Sequence, residues 1–288
     1  MLSTSAAYLA VSNNLARQQA ATAAQGDVKS ATNYYLANIG KVKTVSAFVN
    51  NYQLFSYAMK AFGLSDMTYA KGLMTKVLNQ GVTSSTALAN TLSDPRYKAF
   101  ASVFNFAANG AATTTTAAAT TGTSAKYVEQ TLEDNQAKTN QGVSNALYFS
   151  RHASSITSVY GLLADSTMLS VVETAYGIST TLGQTGIDTQ AALLSKVVPI
   201  ADLQNSSKVA KIISRYTAQY DANNAANVTN VLLADTSDST TSILDASNGI
   251  GSTIPADSIL NLFNSSSSSQ NGVSSDLLLS LAKLHKGG

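Results

Sequence analysis

The 288-residue chain contains no cysteine and no tryptophan, and it has only three prolines. Without cysteine the chain has no disulfide, no thiolate metal ligand and no thiol nucleophile. Charged side chains are also few, 12% of residues against about a quarter in a typical globular protein. Because the net charge is only +2 and no basic cluster occurs, we expect no binding of nucleic acid, which requires several cations on one face.

Long apolar runs are absent too. No stretch approaches the roughly 20 apolar residues that cross a bilayer, so we expect no membrane insertion. The N-terminus lacks the basic residues and apolar core of a secretory signal, since Arg17 is the first charged side chain. This predicts a chain that is cytosolic or is exported by a route that reads no cleavable signal.

Motifs for chemistry are missing as well. The sequence has two histidines, His152 and His285, and no metal-spaced cluster, glycine-rich phosphate loop or nucleophile elbow. We therefore expect no catalytic residue, no metal and no cofactor. His152 is expected to be a cation at a helix end. Glu129 and Glu133 share one helical face, which we expect to be solvated.

The stretch 34–106 is dense in helix signals. Thr44 is suited to cap a helix, and Gly63 and Gly81 are suited to end helices. Asp94 followed by proline is typical of a helix start. An aromatic stripe then predicts a buried core face, and its members are Tyr97, Phe100 and Phe104.

A second copy of this pattern follows downstream. The sequence AYGI at 175–178 mirrors AFGL at 61–64, and LLSKVV at 193–198 mirrors LMTKVL at 73–78. The order and spacing agree apart from a short insertion near residues 185–188. This indicates an internal duplication.

The sequence predicts an all-α fold: a duplicated multi-helix unit with N-terminal and C-terminal helices and a Ser/Thr-rich C-terminal extension. One helix is expected over 126–150, with a possible break at Gly142. The Thr/Ala-rich linker is expected to bury little. The segments are an N-terminal helical arm (1–33), a first helical unit (34–107), the linker (108–125), a second helical unit (126–222), a Ser/Thr/Asn-rich extension (223–274) and a C-terminal amphipathic helix (275–288).

The two terminal helices are the candidate interaction surfaces. The N-terminal helix is weakly amphipathic, with an apolar face at Tyr8, Val11 and Leu15, and the C-terminal helix carries leucines on one face. Two alternatives are open for the N-terminal helix: it docks on its own domain, or it is an arm for assembly or export. The C-terminal helix either docks on a partner or packs on the chain's own N-terminal helix or core. The candidate interaction residues are Leu9, Leu15, Leu277, Leu278, Leu281 and Leu284.

Three stretches, 34–50, 57–82 and 88–106, carry a similarity to a known family, with support from 126–134, 146–165 and 200–221. The most specific run is AFGL…KVL…GV…LAN.LSDPRY.AF. On these residues the chain resembles an uncharacterised, mostly helical family that is encoded in alphaproteobacterial flagellar gene clusters. That family has no assigned catalytic residues to transfer.

The resemblance implies a non-enzymatic, flagellum-associated structural protein that assembles by helix packing of its termini. Its expected partners are other flagellar proteins or further copies of itself, as a homo-oligomer or a filament-type assembly. Its expected location is the bacterial flagellum, outside the cell, reached by type III flagellar export. One alternative is a cytosolic accessory or chaperone-like adaptor that binds through the leucines of the C-terminal helix. A further alternative is an enzyme.

Overall fold

A computed structural model of the chain describes residues 2–234. These residues form helices and turns and contain no strand, so the predicted all-α fold is confirmed. None of the helices in this part of the chain combines the length and apolar character needed to span a membrane. The chain divides into two units, Met1–Ala222 and Asn223–Gly288. The predicted C-terminal helix and most of the Ser/Thr/Asn-rich extension lie outside the described residues.

The helices follow one another with short connections. In chain order they are α1 (Thr4–Ser12), α2 (Leu15–Ala23), α3 (Gly26–Asn38), α4 (Val45–Asn50), α5 (Tyr52–Ala61), α6 (Lys71–Gln80), α7 (Leu88–Thr91), α8 (Pro95–Val103), α9 (Phe106–Asn109), α10 (Thr123–Ala137), α11 (Gln141–His152), α12 (Val159–Ala164), α13 (Ser166–Tyr176), α14 (Ile187–Val197), α15 (Ile200–Leu203) and α16 (Ser206–Ala234).

The predicted helix starts and stops in the first half are confirmed. The Thr44 hydroxyl accepts a hydrogen bond from the Ala47 N–H at 3.1 Å and caps α4. Asp94 caps α8 by accepting from the backbone N–H two residues later, and proline occupies the first helical position. Gly63 and Gly81 adopt φ values of 69° and 62°, a region that favours glycine.

Two apolar cores hold the described fold together. The first, the aromatic core, contains the predicted stripe. Neighbouring ring centroids of five of its phenylalanines lie 4.7–6.5 Å apart, in the range that aromatic pairs prefer. These five are Phe48, Phe55, Phe62, Phe100 and Phe104, and the core also contains Tyr35, Tyr57, Tyr97 and Phe106. The second, the aliphatic core, is formed by α11–α16, and its buried members include Leu162, Met168, Val171, Val172, Leu194, Val198, Ile212 and Ile213.

Helices α4–α8 and α12–α16 share one order of elements. Thr44 and Ser158 each cap a six-residue helix through the side-chain oxygen. Gly63 and Gly177 each follow the next helix, with φ values of 69° and 64°. This parallel order agrees with the internal duplication, which stays a prediction.

The Thr/Ala-rich tract of 107–124 differs in part from its expectation. It forms short helical turns at Gly110–Thr115 and Ala118–Gly122. Most of its residues are exposed, in line with the expectation that it buries little, but Thr113, Thr114 and Ala119 have no exposed surface. The Thr114 hydroxyl donates to the Val42 carbonyl at 2.8 Å. Threonine satisfies its own hydroxyl on nearby carbonyls, so a polar tract of this kind is buried without unpaired groups.

The long helix expected over 126–150 is two helices. Helix α10 ends at Ala137, and Asn140 caps α11 by accepting from the Val143 N–H at 3.3 Å. The break therefore lies just before Gly142, which is itself helical. Asparagine is a strong N-cap, and this capping signal decides where the helix is interrupted.

Candidate functional site

The N-terminal helices pack against α10 and α11. Helix α1 contacts α11, and α2 contacts α10. Val11 is buried in a small apolar cluster with Leu132, Val143 and Leu147. Part of the N-terminal apolar face is therefore used within the chain.

The two candidate interaction residues in this region remain exposed. Leu9 is 50% exposed and Leu15 is 41% exposed. Leu15 also lines an open groove of about 290 Å³, between α1–α2 on one side and α10–α11 on the other. The other four candidates, Leu277, Leu278, Leu281 and Leu284, lie outside the described residues.

Helix α1 begins where α11 begins and α16 passes, a contact we call the terminal junction (Thr4, Asn140, Gly142, Tyr220 and Asp221). The Thr4 N–H donates to both carboxylate oxygens of Asp221, at 2.9 and 3.0 Å. The Asn140 side-chain amide donates to the Thr4 hydroxyl at 3.0 Å. A carboxylate at a helix N-terminus is favourable because it faces the positive end of the helix dipole.

Gly142 makes the close approach at the terminal junction possible. A Cβ atom at this position would lie 2.6 Å from the Tyr220 ring and 2.8 Å from the Thr4 methyl group. Such distances are far inside van der Waals contact. The sequence predicts a possible helix break at Gly142. In the structure this glycine is helical and allows α1, α11 and α16 to approach closely.

A buried ion pair joins α10 to α11. The Arg151 guanidinium donates to the two Glu133 oxygens at 2.8 and 2.6 Å, and to the Gln130 side-chain carbonyl at 2.7 Å. Burial raises the pKa of the Glu133 carboxyl, and the hydrogen bond from Arg151 opposes that rise. Glu133 is only 4% exposed, so the expected solvated face is wrong at this residue. Helix α10 is covered here by α11, which supplies the cation.

A second arginine links α8 to the start of α13. Arg96 donates to both Asp94 oxygens and to the Gly63 carbonyl, the latter at 2.7 Å. The Tyr148 hydroxyl donates to Asp165 at 2.7 Å, and Asp165 lies 3.9 Å from Arg96. Burial and the Asp165 charge raise the pKa of the Tyr148 hydroxyl. The Arg96 centre ties the aromatic core to the aliphatic core, because α8 belongs to the first and α13 to the second.

His152 lies between the two arginine centres, and the prediction that it is a helix-end cation is wrong. It is the last residue of α11, but its ring stacks on Tyr148 with centroids 4.2 Å apart. Burial and three neighbouring cations lower its pKa from 6.5 to about 2, so the imidazole is neutral at pH 7. Those cations, largest effect first, are Arg151, Arg96 and Lys126.

These charged groups suit a structural network. Each buried carboxylate has an arginine or tyrosine donor, an arrangement that holds helices in register. Among residues 2–234, no group of histidine, aspartate and glutamate has the composition of a metal site. The signal in the sequence is an arginine that closely follows an apolar run, as Arg151 does in ALYFSRH.

Residues 61–209 match the family described as Protein of unknown function (DUF1217). The chain belongs to this family. It is also similar to the crystal structure of protein AGR_C_984 from Agrobacterium tumefaciens, with 38% identity, a TM-score of 0.70, and coverage of 78% of this chain and 97% of that chain. No curated protein matches it.

The DUF1217 match covers the buried charge network but not the N-terminal helices that form one side of the groove at Leu15. Arg96, Glu133, Arg151 and His152 all lie within residues 61–209. The candidate leucines of the termini lie outside this range. The buried charge network is thus part of the DUF1217 segment, whereas the groove at Leu15 combines that segment with the N-terminal helices.

Proposed function

We propose that this DUF1217 chain is a non-enzymatic, flagellum-associated structural protein, exported and assembled by helix packing of its termini. The observation that carries the proposal is the open groove lined by Leu15, beside the exposed Leu9. An apolar groove between helices is suited to accept a helix that presents leucines on one face. The resemblance to proteins encoded in flagellar gene clusters supplies the biological setting.

The occupant proposed for this groove is the leucine-bearing segment 275–288 of a neighbouring copy. Leu277, Leu281 and Leu284 follow helical spacing in the sequence, the pattern by which an amphipathic helix binds in a groove. Each copy then contributes one groove and one helix. A head-to-tail contact of this kind propagates into a filament unless its rotation closes a ring.

The export part of the proposal is tested by fractionating native bacteria with and without a functional flagellar export gate. We expect the polypeptide in purified flagellar structures only when the gate works. Retention in the cytosol of both strains would rule out export.

The assembly part is tested with Leu15→Asp and with deletion of residues 275–288. Leu36→Asp is the matched control, because Leu36 is also 41% exposed but lies on α3 and does not line the groove. We expect the first two variants to be exported and to be missing from the assembled structure, since a carboxylate disfavours an apolar contact. Equal loss from assembly of Leu15→Asp and Leu36→Asp would contradict the groove assignment.

A second candidate, a cytosolic flagellar accessory or chaperone-like adaptor, has one observation in its favour. Val11 of α1 is buried against Val143 and Leu147 of α11, so the N-terminal helix is not wholly available to another subunit. If the protein is such an adaptor, we expect it in the cytosol of strains with and without a functional export gate, and we expect flagellar proteins to be recovered with it in a pull-down. Deletion of residues 275–288 should abolish that recovery, and undiminished recovery would exclude this segment as the binding element.

A further inference from the structure

A small cavity adjoins the buried charge network at the ends of α5, α8 and α11. Its volume is about 130 Å³. Three of its lining residues are cations, Arg96, Lys126 and Arg151, and none is acidic. The carboxylates that pair with the two arginines approach them from outside this lining.

Hydrogen-bond donors on these cations are left over after the internal pairs are made. Arg151 uses Nε and Nη2 for Glu133 and Gln130, and its Nη1 makes no hydrogen bond within residues 2–234. A guanidinium has five N–H donors, so Arg151 keeps at least two. The Lys126 ammonium has no acidic partner in the described part of the chain and lies 5.6 Å from the Phe62 ring, which also lines the cavity.

The imidazole in the lining also has an atom without a hydrogen-bond partner. The Nε2 atom of His152 is buried and lacks a hydrogen-bond partner among the described residues. Burial, the largest cause, and the repulsion of the three cations keep this imidazole neutral. A bound anion would offset the repulsion and raise the imidazole pKa, and the tautomer with its hydrogen on Nε2 would donate to the anion.

We propose that this cavity binds a small oxyanion of the phosphate type. Arginine and lysine donors that converge on a cavity whose lining contains no carboxylate are suited to hold a phosphate group. Pockets for drug-sized ligands enclose about 300–1,000 Å³, so a cavity of about 130 Å³ accepts a single phosphate group and excludes a whole nucleotide. The phosphate group is either the free ion or the end of a phosphomonoester.

The test uses the full chain carrying His285→Asn, which leaves His152 as the only imidazole. Inorganic phosphate is titrated at constant ionic strength against chloride, with calorimetry and the His152 ring NMR signals as readouts. We expect saturable binding of one phosphate per chain, a shift of the His152 signals and a rise of the imidazole pKa. The proposal would be overturned if phosphate showed no saturable binding beyond the chloride reference, or if the His152 ring signals did not shift on binding.

Lys126→Met and Lys138→Met form the matched pair of variants. Both lysines are exposed, so neither change should prevent folding. Lys126 lies on α10 and Lys138 directly follows this helix, where its ammonium donates to the Asn135 side chain. We expect Lys126→Met to weaken phosphate binding about tenfold, as for the loss of one charge-assisted contact, and Lys138→Met to change it by less than about twofold. Equal weakening by both variants would show nonspecific charge attraction and would refute the site.

Glycerol 3-phosphate distinguishes the two sources of the phosphate group. Binding at least as tight as that of inorganic phosphate assigns the cavity to the end of a larger phosphomonoester. Binding of inorganic phosphate alone assigns it to the free ion. Both results support the proposal, and failure of both probes to bind rejects it.

Discussion

Gly142→Ala tests the terminal junction directly. The added methyl group would lie 2.6 and 2.7 Å from two ring atoms of Tyr220 and 2.8 Å from the Thr4 methyl group. All three distances require the neighbours to move. Since Tyr220 and Thr4 belong to the two ends of the unit Met1–Ala222, the strain falls on the contact between α1 and α16.

The magnitude follows from two opposing effects. Overpacking of a tight contact costs about 1–3 kcal/mol, whereas alanine in place of glycine within a helix stabilises by up to about 1 kcal/mol. Gly72→Ala is the control for the second effect, because Gly72 is also the second residue of a helix but a Cβ there would meet nothing within 4 Å. The difference in stability between the two variants therefore gives the cost of overpacking. We expect Gly142→Ala to be less stable than Gly72→Ala by about 1–3 kcal/mol.

The assay is urea unfolding followed by helical circular dichroism, combined with hydrogen exchange of the α1 amides. The midpoint for Gly142→Ala should fall with an unchanged slope, since the native surface changes little. The Thr4 amide should lose protection as its bond to Asp221 lengthens. A Gly142→Ala protein as stable as Gly72→Ala, with α1 amides equally protected, would refute the close-packing argument.

Two further predictions concern the charge network. Glu133→Ala leaves the Arg151 charge buried and unpaired, and we expect a loss of about 3–5 kcal/mol in urea unfolding, with Glu129→Ala as the milder control because Glu129 is only partly buried; equal losses would contradict the buried ion pair. For His152, the pKa in the folded state is about 2, below the value of 6.5 for an unperturbed imidazole. Between these two pH values the imidazole is protonated in the unfolded state and neutral in the folded state. Stability should therefore fall as the pH drops below about 6.5, and by pH 5 this residue should account for about 2 kcal/mol. The measurement is the difference in pH dependence between wild type and His152→Asn, and parallel profiles would contradict burial of a neutral imidazole.

Local signals predicted much of the fold. Thr44, Asp94 and Gly63 specify helix ends through groups within a few residues of themselves, so these positions were predictable without knowledge of the tertiary contacts. The aromatic stripe at 97–104 likewise showed its buried side through helical spacing. The break before α11 lies just before Gly142, because Asn140 caps the helix there.

The candidate site was less predictable for a physical reason. Glu133 and His152 have polar side chains that are usually solvated, and the sequence predicted a solvated face for Glu133 and a helix-end cation for His152. Their burial depends on which helix covers them. Arg151 pairs with Glu133 across two helices, and the three cations around His152 come from α8, α10 and α11.

By itself the amino-acid sequence determined the helical class, several caps and stops, and the buried face of α8 in the aromatic core. These features depend on short-range hydrogen bonds and on helical periodicity, which the order of residues contains in full. Tertiary structure alone decided that Gly142 admits Thr4 and Tyr220, and that three cations surround one neutral imidazole. Such contacts join residues distant along the chain, and their electrostatics depend on burial, which exists only once the helices have packed.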